Sequence, residues 1–200
     1  MKNSSFAVID VETTGLSPRR NKLIEIHALR IDKKGKTKTF SSLINPGTSI
    51  PSFITRLTGI TNDMVADSPP VSEVITNLAN FLSEDDIIVG HNVSFDMRFL
   101  NHNFTEILGR PIENQTLCTL RLARRVYPEL CSYRLKDLCD ELKIESDSFH
   151  RAGVDVEVTK ELMYNLYDAL KKAEISDIKS ILKFQKMPIA KASKILKQCQ

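Results

Sequence analysis

Residues 6–13, FAVIDVET, place two carboxylates in a run that otherwise asks to be buried. Phe6 to Ile9 and Val11 are apolar, the make-up of a central strand covered on both faces. Side chains alternate along a strand, so Asp10 and Glu12 share one face, about 7 Å apart along the backbone. Two like charges held there repel unless a cation lies between them. The bland alternative is a strand end that turns polar and faces water. Either way, a chain with this segment needs layers on both sides of a sheet, and something must be done about the acids at one end.

The remaining pattern is α/β after an antiparallel start. Residues 22–31 and 36–45 read as two further strands, with DKKGK as the tight turn between them. A loop is expected from NPGTSIPSF to about residue 70. Val74, Ile75, Leu78 and Leu82 have helix spacing over 71–82, and DDIIVG reads as a short buried strand. Helices are expected over 94–108, 119–126, 133–142 and 152–172. No internal repeat or mid-chain linker interrupts them. The expected division is a domain over 1–172 and a lysine-rich helical tail over 173–200.

Two more aspartates bear on the acid pair. Asp96 lies in the first turn of the helix over 94–108, on the side shared by Phe99 and Leu100. Asp155 heads the stripe of Val158, Thr159, Leu162 and Leu166. Acids in a first turn compensate the helix dipole by about 0.3–1 kcal/mol, which explains their place along the axis but not on the apolar side. An unpartnered acid on a buried face is costly, so a shared cation is the economical account. His150 precedes Asp155 by five residues. A lone histidine is most often a packing or surface residue. Here it would overhang the same site, and imidazole titrates where a general base for water must.

Composition narrows the setting. No apolar stretch approaches the ~18 residues that span a bilayer. The N-terminus meets Asp10 too soon for a signal peptide. Cys118, Cys131, Cys139 and Cys199 are scattered without a CxxC pair, as expected for reduced thiols in a cytoplasm. From residue 173 on, six lysines face Glu174 and Asp177, so with a chain total of +3 the first 172 residues sum to −1. The expectation is a body without a long basic groove and a basic tail. The tail's two short amphipathic stretches would either pack on the body or dock a partner.

FAVIDVETTGL, VGHNVSFDMRFL and HRAGVDVEVT, in that order, resemble the three exonuclease motifs of the DEDDh family. That group includes the proofreading epsilon subunit of bacterial DNA polymerase III. The likeness extends over about residues 4–172. It implies a ribonuclease-H-like α/β fold, a central mixed sheet with three antiparallel strands first, flanked by helices. It implies that Asp10, Glu12, Asp96 and Asp155 bind two divalent cations, magnesium or manganese, with His150 as general base. It further implies nucleotide contacts at Thr13, Thr14 and Gly15, at Asn92 and Phe99, and at Thr58, where many relatives carry histidine. The expected activity is 3′–5′ removal of nucleotides from single-stranded DNA in replication proofreading, with a polymerase subunit as a partner through the tail. Trimming of RNA 3′ ends is the alternative, since no motif here reports on the 2′-hydroxyl. An inactive nucleic-acid-binding module is a third reading, opposed by the complete carboxylate set.

Overall fold

The acid-bearing strand lies at the centre of a five-stranded sheet. The computed structural model describes residues 4–145 and 152–198. In chain order the elements are β1 (Ser5–Thr13), β2 (Leu23–Ile31), β3 (Thr37–Leu43), α1 (Ser52–Thr58), α2 (Asn62–Val65) and α3 (Val71–Phe81). There follow β4 (Asp86–Gly90), α4 (Ser94–Leu108), β5 (Thr116–Cys118), α5 (Thr119–Val126) and α6 (Leu135–Leu142). The described chain closes with α7 (Ala152–Lys172), α8 (Ile178–Phe184) and α9 (Ile189–Gln198).

The strand order is β3-β2-β1-β4-β5. β1, β2 and β3 pair antiparallel, as a meander, while β4 and β5 join parallel to β1. The hairpin between β2 and β3 is fixed by Asp32, whose carboxylate accepts the N–H groups of Lys34 and Lys36. Gly35 supplies the positive φ of 82° that this turn requires.

Alternation along β1 feeds two cores. Phe6 and Val8 pack under α5, α6 and α7, while Ala7, Ile9 and Val11 pack under α3 and α4. A central strand covered on both faces is therefore what the apolar run makes. The stripes behind Asp96 and Asp155 also face inward: Phe99, Leu100, Val158, Thr159, Leu162 and Leu166 are all buried.

Two expectations of local structure are corrected. The segment expected to be loop up to residue 70 contains α1 and α2. α1 is seven residues long, has no side-chain N-cap and buries only Ile54 and Thr58, so it leaves almost no periodic trace. The three-residue β5 also went unforeseen, because it is too short to show alternation.

The tail helices share the body's core. Ile181, Phe184 and Ala192 lie in the same cluster as Val8 and Leu166. Arg125 Nε donates to the Met187 carbonyl at 2.7 Å. Gln185 is 2% exposed; its Oε1 accepts the Cys118 N–H and its Nε2 donates to the Thr116 carbonyl. One side chain thus completes the outer side of the edge strand β5. Gln185→Leu would leave both backbone groups buried and unpaired. The expected cost is about 2–4 kcal/mol, read as a lower urea midpoint at unchanged slope; an unaltered midpoint would contradict it.

Candidate active site

β4 pairs with β1 only as far as Val8. The chain then turns at Gly90 into α4, and a Cβ at Gly90 would lie 3.2 Å from the Ile9 carbonyl oxygen and 3.1 Å from Val93. This divergence opens the side of β1 that faces β4. Into the opening comes Asp96 from the first turn of α4, whose Oδ1 accepts the Val11 N–H at 3.2 Å. On the other side β1 still pairs with β2, and its register shifts between Glu12 and Thr13. Such a bulge re-aims the side chains at a strand end.

Asp10 and Glu12 continue the row of Phe6 and Val8, on the side of the sheet covered by α7. Asp155, in the first turn of α7, meets them there. One carboxylate oxygen from each of Asp10, Glu12 and Asp155 lies within 4.8 Å of the other two, and all three residues are partly exposed. Asp96 is not in this group: it belongs to the α4 layer, is 3% exposed and reaches the site around the open edge of β1.

The electrostatics are those of an over-acidic pocket. Desolvation pushes the Asp10 carboxyl well above the ordinary carboxylate range, and the charges of Asp96, Glu12, Asp155 and Glu25 push it further. Desolvation also raises Asp96, to about 7, against hydrogen bonds from Val11 and its own backbone that favour the anion. Oxygen donors this close fit a hard divalent cation. Asp10, Glu12 and Asp155 could hold one directly.

The second strand contributes two further polar residues beside the acids. Glu25 stands opposite Glu12, and His27 stands opposite Asp10. Glu25 is 5% exposed and adds to the field on Asp10. The His27 ring lies against the start of α7, where a Cβ on Gly153 would sit 3.2 Å from it. The sequence signal was present: polar residues at 25 and 27 repeat, inside an apolar strand, the spacing of 10 and 12.

The other nominated residues are variously placed. Thr13 and Thr14 are buried; Thr13 Oγ1 donates to the Gly15 carbonyl, and Thr14 Oγ1 accepts the Lys22 N–H. Gly15 has no room for a side chain, because Asn21 Nδ2 would be 2.6 Å from its Cβ. Asn92 is exposed at a positive φ of 67°, and its Oδ1 accepts from Ser94 Oγ. Thr58 is buried, donating to the Ile54 carbonyl and accepting the Ile60 N–H. Phe99 is fully enclosed; the half-exposed aromatic beside it is Phe95, with ring centroids 5.3 Å apart. His150 lies outside the described residues.

The Exonuclease family profile matches residues 7–163, a span that holds all four acids and His150. The chain belongs to the exonuclease family. It is 36% identical over 185 residues to the DNA polymerase III subunit epsilon of Aquifex aeolicus, covering 92% of this chain and 91% of that protein. Against the PolC-type DNA polymerase III of Oceanobacillus iheyensis it is 42% identical over 173 residues, 86% of this chain but 12% of that much longer protein. Exonuclease X, solved in complex with 5′-overhanging duplex DNA, superposes with a TM-score of 0.67 at 25% identity, covering 96% of this chain and 99% of that one. The mixed sheet flanked by helices is the ribonuclease-H-like arrangement expected from the motifs.

The raised Asp96 has a consequence for stability. Between the ordinary value of 3.8 and about 7, the folded protein keeps a proton that the unfolded chain releases. The metal-free protein therefore loses stability as pH rises through that window. Asp96→Asn keeps an acceptor for the Val11 N–H and removes the titration. Its melting temperature without metal is expected to exceed wild type clearly at pH 8 and much less at pH 5. Equal differences at the two pH values would contradict the assignment.

Proposed function

We propose that this protein is a 3′–5′ exonuclease that removes nucleotides one at a time from single-stranded DNA ends, as a proofreader for a replicative polymerase. The observation that carries the reading is the cluster of Asp10, Glu12 and Asp155 at the end of the central strand, in a chain alignable over 92% of its length with a polymerase III epsilon subunit. Magnesium or manganese suits an all-oxygen donor set better than zinc, which favours nitrogen and sulfur.

Divalent cations bound here would supply the positive charge that acidifies water and steadies a phosphodiester's developing negative charge. The chain's own residues divide the remaining work. Asp10, Glu12 and Asp155 hold cations, and Asp96 completes the set from the α4 layer. His150 takes the proton from the attacking water. Water oxygen bonds to phosphorus as the bond to the 3′-oxygen breaks, leaving a nucleoside 5′-monophosphate and a strand shorter by one.

The turn of Thr13, Thr14 and Gly15 has its hydroxyls occupied in building itself, so it meets the terminal nucleotide through its backbone. Asn92 borders the same opening. Phe95, backed by Phe99, offers the surface on which a base can stack. Thr58 acts by shaping the α1–α2 segment. A proofreader requires a polymerase partner, and the tail, with its apolar side committed to the core, offers that partner its lysine face. A cytoplasmic setting belongs to the same reading.

The test is a 5′-labelled single-stranded DNA oligomer beside a matched RNA oligomer, each incubated with magnesium. DNA should shorten stepwise from its 3′ end, faster than RNA. Degradation of RNA alone would overturn the substrate assignment. Asp10→Asn preserves shape and removes one ligand charge, so activity should fall by ~10³ or more. Undiminished magnesium-dependent hydrolysis would remove Asp10 from the site. His150→Ala should lower turnover by ~10²–10⁴, abolish the acidic limb of the pH–rate profile and leave metal affinity nearly intact. A variant that keeps both turnover and limb would place the base elsewhere.

A further inference from the structure

An open groove of about 720 Å³ runs between the outward face of α4 and the start of α5. It begins beside the turn that follows β1, where Pro18 and Arg19 form its lip, and beside Val93 and Ser94 at the head of α4. Arg98 and His102 line one wall, one turn apart on α4, and Arg121 lines the other. Arg121 also borders a second hollow with Arg124, Arg125 and Lys186. The cationic lining is therefore continuous from the active-site turn to the junction of α8 and α9. Glu106 is the acid among the residues lining the larger groove.

These charges are not spent internally. None of the ion pairs between described residues involves Arg19, Arg98, Arg121 or Arg124. Two of the guanidiniums lie over aromatic rings, Arg98 over Phe95 and Arg124 over Tyr133, each 5.6 Å from the centroid. Arg125 is the exception, since it ties α5 to the tail through the Met187 carbonyl. Desolvation, and after it the like charge of Arg121 and Arg124, lower its pKa against the opposing influence of Cys118. The first 172 residues sum to −1, so a basic stripe here is a matter of placement, not composition.

We propose that this groove is a second nucleic-acid site, holding the backbone of the strand several nucleotides 5′ of the end that sits at the carboxylates. The inference rests on the exonuclease reading, because it takes the occupant to be the continuation of the same strand. Three features select a strand over an acidic protein segment. The groove opens at the active-site turn, arginine forks match phosphate oxygens, and Phe95 with Arg98 above it joins a base-stacking surface to a phosphate-binding one.

The test uses the full chain with Asp10→Asn, so that oligomers survive, and reads binding by fluorescence anisotropy with magnesium present. Arg19→Gln with Arg121→Gln is compared with its parent on 5′-labelled oligothymidylates of three and fifteen nucleotides. Both residues are exposed on the groove and neither side chain holds the fold. Lys36→Gln with Lys38→Gln, exposed on the distant β2–β3 hairpin, removes the same charge elsewhere. Each lost phosphate contact takes about 0.7 from the salt slope. Raising salt from 50 to 200 mM should therefore weaken the groove variant on the 15-mer by about sevenfold less than its parent. The 3-mer should bind equally to both, and the hairpin variant should follow the parent on each. Unchanged 15-mer binding and slope would overturn the proposal. So would an equal loss on the 3-mer, or the same loss in the hairpin variant. Failure of the exonuclease reading would show separately, as an unprocessed oligomer when the wild-type chain is given magnesium.

Discussion

Mutual repulsion among carboxylates at the end of β1 is the constraint that the surrounding architecture answers. Asp10, Glu12 and Asp155 bring oxygens within 4.8 Å of one another, with Asp96 and Glu25 close enough to add their fields. No flexible loop would keep such groups together; each would swing towards water. Here they are carried by a strand packed on both faces and by the first turns of two helices whose stripes run into the core. The apolar burial that stabilises the sheet and helices therefore holds the acids in place at the same time.

Much of this was legible in the sequence, because β1 is a continuous apolar run and the 3.6-residue period is long in α3, α4 and α7. The same-face argument for Asp10 and Glu12 follows from strand alternation, and the inward face of Asp96 and Asp155 from the helix period. What periodicity cannot tell is depth and layer. Phe95 and Phe99 sit one turn apart on α4, yet Phe99 is enclosed while Phe95 keeps an accessible part, a difference set by neighbours remote in the chain. In the same way, the sequence put Asp96 with the other acids but could not say that it comes from the opposite side of the sheet. The hydroxyl of Thr58 closes the end of a helix too short to be read, a role that no sequence period announces.

The basic groove illustrates a related limit. A net charge is a sum over positions, whereas a groove depends on which positions the fold brings together. Arg19, Arg98 and Arg121 are separated along the chain by strands and helices and meet only because α4, on one side of the sheet, and the start of α5, which follows β5, flank the same sheet edge. The tail, by contrast, looked separable because its charge differs from that of the body. Its apolar side contributes Ile181 and Phe184 to the common core, and Gln185 completes the hydrogen bonding of β5.

The contact between the Val11 N–H and Asp96 joins the two layers around the unpaired edge of β1. During synthesis, Asp10 and Glu12 emerge early, Asp96 follows once β4 is in place, and Asp155 arrives only with α7. Since domains condense as units, the nascent chain has the first two acids long before it has a pocket. By order of assembly alone, the acid cluster is therefore incomplete until α7, in the last quarter of the chain, has docked.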